Sequence, residues 1–551
     1  VKGILKYIII ALLSVPLLLW VSAELMLVAL ELDAPEIQEA QWTSEVDESN
    51  DNAKLLGDNW YRQNEHGLWE AYIQGAPYER GVIFGQLAEE QIVSQEESFI
   101  AQIQKLIPSE TFLNTLKYGV VFFNRDLDKH ISEELKKEIY GVSKSFSDEF
   151  DFIGDKYSRI LNYHAAHDIG HALQDLSIVG CTSFAVWNQY SEDSSLVVGR
   201  NFDFYMGDDF AKDKIILFMK PDSGYAFASI TWAGFMGVVS GMNEHGLTVT
   251  LNAAKSSVPT GAKTPISILA REILQYARTI DEAYAIAKSR ETFVSESILI
   301  ASAEDKAAAI IEKSPDKIDI YRPKDSRVTC ANHYQSEAFK NDSVNVKNIK
   351  DSDSDYRFQR LNQLLESNFP INPNESADIL RNQKGLDEVE LGMGNPKAIN
   401  QLLAHHGIVF QPEKRLLWVS TSPFQLGEFL CYDLNEVFGE KGKVLVDSLS
   451  IPADGFLGSD SYQSFLRYKE LKNRLFGKIA LKKKIEWNSE LENEFIKSNP
   501  ESYITYFMLG DYYLEQEDFE KAKDYYALSL SKEVASEQER NKIKENLELC
   551  H

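Results

Sequence analysis

Ile178-Val179-Gly180-Cys181-Thr182-Ser183 is the point at which the chain changes character. Upstream, "AEEQIVSQEESFIAQIQKLI" (88–107) and "SEELKKEIYGVSKSFSDEF" (132–150) carry apolar residues three and four apart, the spacing of helices. Downstream, "TSFAVWNQ", "SSLVVGRNFDF", "KIILFMK", "YAFASITW" and "HGLTVTLNA" are short runs of β-branched and aromatic residues separated by turn residues, the pattern of strands. Cys181 therefore stands where a helical part gives way to a first strand. Gly180 before it tolerates backbone geometry that other residues resist.

Working outward, "GRNFDF" follows nineteen residues after Cys181 and puts Arg200 and Asp203 on the next strand. Two adjacent antiparallel strands would bring a guanidinium and a carboxylate beside the thiol. Arg200 would lower the thiol pKa, and Asp203 would orient a proton-carrying group. A free cysteine is most often a small buried hydrophobe, and these neighbours argue for more. A cysteine nucleophile normally takes a histidine as its base. His164, His167, His171, His245, His333, His405 and His406 are available, but none stands in a cysteine-protease signature. Cleavage of the Gly180–Cys181 bond would supply another base. The new α-amino group, with a pKa near ~8, could accept the thiol's proton.

The same pass divides the chain. Residues 1–32 hold Lys2 and Lys6 ahead of an apolar run from Tyr7, the export pattern, read either as an uncleaved membrane anchor or as a signal cleaved after Val21-Ser22-Ala23. Both readings put the rest outside the cytoplasm, secreted or anchored, in the periplasm or at the cell surface. Residues 33–55 read as a polar, acidic linker, 56–180 as a mainly helical prosegment, and 181–455 as the chemical domain. In that domain the strands resume after the helical block "PISILAREILQYA" and "TIDEAYAIAKS", which predicts an α+β, layered fold. "GIVFQPEKRLLWVST" reads as a hairpin turning at Pro412-Glu413-Lys414. Residues 465–551 are helical again. There Leu509-Gly510, Tyr513, Ala522 and Tyr526 follow the tetratricopeptide pattern of small and large residues, or simply that of a helical hairpin available to a protein partner.

"GCTSF", "GRNFDF", "GMNEHGLTVTLNA", "TCANHY" and "DSDYRFQRL" stand in the order and at about the spacing of the N-terminal-nucleophile hydrolases. Within these the chain resembles the acyl-CoA:6-aminopenicillanate acyltransferase family (peptidase family C45), with kinship to choloylglycine hydrolases, over roughly 181–435. The resemblance implies a four-layer αββα fold and self-cleavage before Cys181. It further implies cleavage of a linear amide, or acyl transfer, through a thioester, with no cofactor. By the same likeness Cys181 is nucleophile and base, Asp203 holds the α-amino group and Arg200 lines the site. Asn252 faces the developing oxyanion, Asn332 orients nucleophile or substrate, and Arg357 is the late arginine, with Arg360 competing one helical turn on. The prosegment and the helical tail depart from that family and leave a penicillin substrate without support. The expected substrate is an N-acyl amide or peptide.

Composition narrows the alternatives. With 57 Lys and Arg against 84 Asp and Glu, the net charge is −27, which repels phosphate backbones and excludes a nucleic-acid binder. "HDIGH" (167–171) approaches a zinc motif, with His167 and His171 as ligands and Asp168 in place of the usual glutamate. It offers a rival zinc hydrolase. An exported, anchored binding or assembly protein, docking through its tail, is the rival without catalysis.

Overall fold

The computed structural model describes residues 32–37, 45–48, 53–106, 109–172, 179–255, 261–439, 444–482 and 484–550. The expected signal or anchor in 1–32 lies almost wholly outside these. Among the described residues no helix is long and apolar enough to cross a membrane.

Two sheets form the body. The larger runs, in spatial order, β1 (Lys54–Leu56), β2 (Asn59–Gln63), β3 (Trp69–Gly75), β6 (Ile215–Pro221), β7 (Phe227–Thr231), β8 (Ser240–Asn243), β9 (Leu247–Ala253), β10 (Glu296–Ser302), β11 (Ala307–Lys313) and β12 (Ile318–Tyr321). The smaller runs β13 (Arg327–Cys330), β4 (Val179–Val186), β5 (Val197–Phe204), β14 (His406–Gln411), β15 (Leu416–Ser420) and β16 (Phe429–Asp433). Strand periodicity sorts the side chains. Ala185, Val198, Ile408 and Val419 of the small sheet meet Ile216, Phe218, Leu299 and Ile310 of the large one in a shared core. The alternate residues Phe184, Val197, Val409 and Trp418 turn outward.

Helices cover both outer faces. Over the large sheet lie α1 (Pro77–Leu87), α4 (Glu133–Ser143), α5 (Lys156–Ala172), α6 (Ile266–Tyr276) and α7 (Ile280–Ser289), whose apolar sides join Ile215, Leu217, Val249 and Ile298. Two further helices, α2 (Glu89–Leu106) and α3 (Glu110–Asn124), belong to the same N-terminal part. After β13 come α8 (Ser343–Asp351), α9 (Ser354–Asn368) and α10 (Pro373–Leu380). Leu361, Leu365, Ile379 and Leu380 of this group pack on the outward residues of the small sheet. The expected α+β class and layering are thus present.

Two expectations need correction. The region from 56 is not helical at its start, and the linker does not run to 55. "KLLGDNWYRQNEHGLWEAYIQG" forms β1–β3, and β3 pairs in parallel with β6, so this segment completes the large sheet. Tyr61 and Trp69 stack at 4.8 Å between ring centroids. The hairpin at Pro412–Lys414 is as expected: β14 and β15 pair antiparallel, and Arg415 takes the left-handed conformation.

The tail consists of α11 (Asp460–Ile479), α12 (Ser489–Ser498), α13 (Tyr503–Glu515), α14 (Phe519–Leu530) and α15 (Glu537–Glu548). A Cβ on Gly510 would fall 2.5 Å from the Tyr526 ring, so the hairpin α13–α14 closes on a small–large contact. Its tetratricopeptide kinship stays an expectation of the sequence. The tail is fastened to the body by polar contacts. Asn499 accepts from the Met393 amide at 3.0 Å and donates to its carbonyl at 2.8 Å. Asn395 donates to the Glu533 carbonyl, and Lys397 pairs with the Glu533 carboxylate at 2.9 Å.

Between α1, α4 and α6, the fully buried Glu138 takes Arg80 Nε at 2.5 Å and Arg271 Nη1 at 3.3 Å. Removing one member of a buried ion network costs about 3–5 kcal/mol, because the partner charges stay buried. Glu138→Ala is expected to lower the urea midpoint accordingly, with Glu138→Gln falling in between.

Candidate active site

β4 and β5 pair antiparallel with Gly180 opposite Asp203, Cys181 opposite Phe202 and Ser183 opposite Arg200. The pairing that the sequence predicted is present, but the period of two splits the residues between faces. Cys181, Ser183, Arg200 and Phe202 point inward toward β8 and β9. Gly180, Thr182 and Asp203 point outward toward the helices that follow β13.

On the inner face Cys181 Sγ lies 3.8 Å from Arg200 Nη2. Arg200 is fully buried and held on three sides: it donates to Ser240 Oγ and to the Leu251 carbonyl, and its guanidinium sits 4.3 Å from the Phe202 ring. Ser240 is also 2.8 Å from His406 Nε2, and His406 Nδ1 meets His405 Nδ1 at 2.9 Å. Burial pushes the thiol up to about 11, with Arg200 opposing that shift and Asp203 and Glu296 adding to it. In the uncut chain the thiol is therefore protonated at neutral pH. Among the described residues no histidine is hydrogen-bonded to the sulfur.

The backbone of Cys181 is clamped from the outer side. Its N–H donates to Asn332 Oδ1 at 2.9 Å, and its carbonyl accepts from Arg357 Nη1 at 2.7 Å. Arg357 Nη2 also donates to Asn332 Oδ1 at 2.7 Å and to Asp353 at 3.1 Å. Asn332 spends its own amide on the Ala253 carbonyl at 2.9 Å. Two charge-assisted bonds and one neutral one thus fix both polar groups of one peptide unit. The choice between the two arginines is resolved: Arg360 turns away to Asn382 and to Glu388 at 2.6 Å.

Asp203 is fully buried, and neither carboxylate oxygen has a hydrogen-bond partner among the described residues. Burial pushes it up to about 8, against Arg357 and Arg200, which pull it down. A buried carboxylate without partners is costly, and this one lies across the ladder from Gly180.

Asn252 does not meet the thiol. It stands on β9, where its Oδ1 accepts from Ser183 Oγ at 2.9 Å and its amide donates to the Cys330 carbonyl at 3.3 Å. Its donor is occupied in the uncut chain. A residue that the sequence reading missed is closer. The side chain of Gln401 lies over Gly180, where any Cβ would come within 2.7 Å of Gln401 Nε2, and that amide nitrogen is buried without a partner. This close approach is what requires glycine at 180. No local pattern marks Gln401, which reaches the site from 221 residues away.

The rival zinc reading loses one ligand. His164 Nδ1 bonds the Ile160 carbonyl at 2.7 Å, and Nε2 accepts from the Met236 amide at 2.9 Å, so both ring nitrogens are committed. The side chains of His167 and His171 lie outside those described.

Residues 187–421 match the model of the acyl-coenzyme A:6-aminopenicillanic acid acyl-transferase family. Over those residues the chain belongs to this family. The acyl-transferase segment contains Arg200, Asp203, Asn252, Asn332 and Arg357 and begins six residues after Cys181, so the case for the thiol rests on its surroundings. Similar proteins include an uncharacterized protein of Archaeoglobus fulgidus, 23% identical over 342 residues, covering 55% of this chain and 56% of that one. Protein dcd1A of Dictyostelium discoideum is 25% identical over 232 residues, covering 38% and 50%. An N-acylethanolamine-hydrolyzing acid amidase of Caenorhabditis elegans is 24% identical over 260 residues, covering 44% and 67%. The chain thus spans about half the length of the first two relatives. Among solved structures, the Caenorhabditis elegans amidase ortholog aligns at 19% identity and TM-score 0.30, covering 42% of this chain and 93% of that one. A Clostridium perfringens conjugated bile acid hydrolase aligns at 14% and 0.32, covering 48% and 94%.

The raised pKa of Asp203 carries a sign. Below pH 4 both folded and unfolded chains hold its proton. Between pH 4 and 8 only the folded chain does, so its contribution to stability declines as pH rises through that window. In a Cys181→Ala background, Asp203→Asn is expected to raise Tm, with the gain growing from pH 4 to pH 8 and levelling off above it. Thermal unfolding across that range checks this.

Proposed function

We propose that the chain is a cysteine N-terminal-nucleophile amidohydrolase, made active by cleavage between Gly180 and Cys181. The observation that carries the reading is the pairing of the clamped Cys181 N–H with the partnerless Asp203 carboxyl across from Gly180. The uncut chain offers Asp203 no counter-charge, and an α-ammonium at Cys181 would be one. We read the layered body as the four-layer αββα fold of such hydrolases.

In the self-cleavage the thiol attacks the Gly180 carbonyl. The C–N bond breaks, the nitrogen of Cys181 takes up a proton as it leaves, and a thioester joins Gly180 to Sγ. Water then hydrolyses the thioester and restores the thiol. Asp203, protonated near neutrality by its burial, is the group placed to supply the proton. Gln401 Nε2, a buried donor with nothing to bond, suits the charge that develops on the carbonyl oxygen.

With substrate, the freed α-amine takes the thiol's proton and the thiolate attacks an amide carbonyl. The ammonium protonates the departing amine, and water resolves the acyl thioester. Arg200, fixed by its three partners, stabilises the thiolate. Asn252 would join the oxyanion site by giving up the Cys330 carbonyl.

Support for an N-acyl substrate comes from the inner face. Phe202, beside Cys181, stacks on Phe204 at 5.6 Å, and Phe204 lies 6.2 Å from Trp232. These rings lead to a narrow cavity of about 40 Å³ lined by Phe204, Phe210, Trp232 and Phe235 with Ile92 and Phe99 of the prosegment. An apolar acyl group suits such a wall. The export pattern of residues 1–32 supports a site of action outside the cytoplasm, secreted or at a membrane.

Acid quench of the wild type during turnover of an N-lauroyl amide is expected to give a lauroyl adduct on the peptide that begins at Cys181. Cys181→Ala should give none. Arg357→Ala is expected to lower turnover at least a hundredfold and Arg360→Ala less than threefold. Turnover in Cys181→Ala, or equal losses at the two arginines, would refute the assignment.

A further inference from the structure

A chamber of about 910 Å³ opens at Gly180, on the outer face of the small sheet. Asn332, Arg357 and Gln401 form its floor. The other two walls are α8, through Lys347 and Asp351, and the last helix of the tail, α15, through Lys542 and Glu545. The tail is thus a wall of the site rather than an appendage, and the Asn499, Asn395 and Lys397 contacts hold it in position.

The lining differs in kind from the aromatic cavity across the strand. Asp353 is spent on Arg357 at 3.1 Å, and Glu539 on Tyr503 at 2.6 Å and Ser536 at 3.1 Å. Lys347, Asp351, Lys542 and Glu545 have no salt bridge among the described residues, so charges of both signs face the space from opposite walls. Gln401, 95% buried, aims a donor without a partner at the chamber's narrow end. Its volume lies at the upper end of ordinary ligand sites, about 300–1,000 Å³. A small neutral amine would leave most of it and all four charges unused.

We propose that this chamber binds the polar half of the substrate and that the half is zwitterionic or peptide-like: an amino acid or short peptide held in amide linkage to the acyl group. α15 is then the specificity wall, with Lys347 and Lys542 receiving the carboxylate and Gln401 donating to the carbonyl nearest the reacting bond. This rests on the amidohydrolase reading, because it assumes that the reacting carbonyl takes the place of the Gly180 carbonyl.

The test uses the full chain, as wild type, as the double variant Lys347→Glu/Lys542→Glu and as Lys347→Arg/Lys542→Arg. Two substrates share one acyl chain, N-lauroyl-glycylglycine and N-lauroyl-ethanolamine, and free triglycine is titrated calorimetrically as a probe that needs no chemistry. Wild type is expected to favour the glycylglycine amide in kcat/KM. The Glu variant should lower that preference at least tenfold and abolish triglycine binding, while the Arg variant keeps both. A preference unmoved by charge reversal, or a wild type that favours the ethanolamide, overturns the proposal. If neither substrate turns over, the amidohydrolase reading fails on its own. The chamber is then judged by triglycine alone: binding lost on charge reversal upholds it, and no binding to wild type overturns it.

Discussion

Asn332 Oδ1 receives the amide of Cys181 and the guanidinium of Arg357 at once, and Arg357 in turn holds the Cys181 carbonyl. The site depends on this clamp because it fixes one peptide unit, and with it the thiol on one side of the strand and the reacting bond on the other. Register makes the clamp possible. β13 pairs with β4 so that Cys330 faces Ser183, which carries the chain to Asn332 beside Cys181. A slip of one residue would exchange the faces of the strand and turn the thiol out of its pocket.

From that clamp the two faces take different work. The inner face is dry: Arg200 beneath the sulfur, aromatic rings leading away, and histidines that reach Arg200 only through Ser240. The outer face is polar and roomy, with Arg357, Gln401 and the tail helix around it. A substrate with one apolar and one charged half fits the division, its carbonyl at the strand between them. The uncut chain leaves the machinery idle in two respects. Burial keeps the thiol protonated, and Asp203 lies without a counter-charge. Both are resolved by the appearance of one amine.

Much of this was legible in the sequence where chemistry and local pattern coincide. The strand pair around Cys181, the acid and the two arginines could be read from "GCTSF", "GRNFDF" and "YRFQR", and the late hairpin from its turn residues. Arg357 and Arg360 could not be told apart, because both face inward on α9 and only the tertiary surroundings separate them. The strands β1–β3 were missed although "NWYRQ" and "WEAYIQG" are rich in aromatics, because the strong helical pattern after them coloured the whole region. Gln401 lies in a segment without periodicity, and nothing local reveals that it covers Gly180. The role of the tail was hidden for a similar reason: its helices were plain, but the surface they cover is set by docking contacts such as Asn499 with Met393.

The most direct test of the account is the intact mass, under denaturing conditions, of the purified chain as wild type and as Cys181→Ala. The account predicts that the wild type resolves into two pieces joined in the sequence at Gly180–Cys181, while the variant stays whole. A wild type that hydrolyses an N-acyl amide and yet remains a single uncut chain would contradict it, since Cys181 would then act without the α-amine on which the site is built.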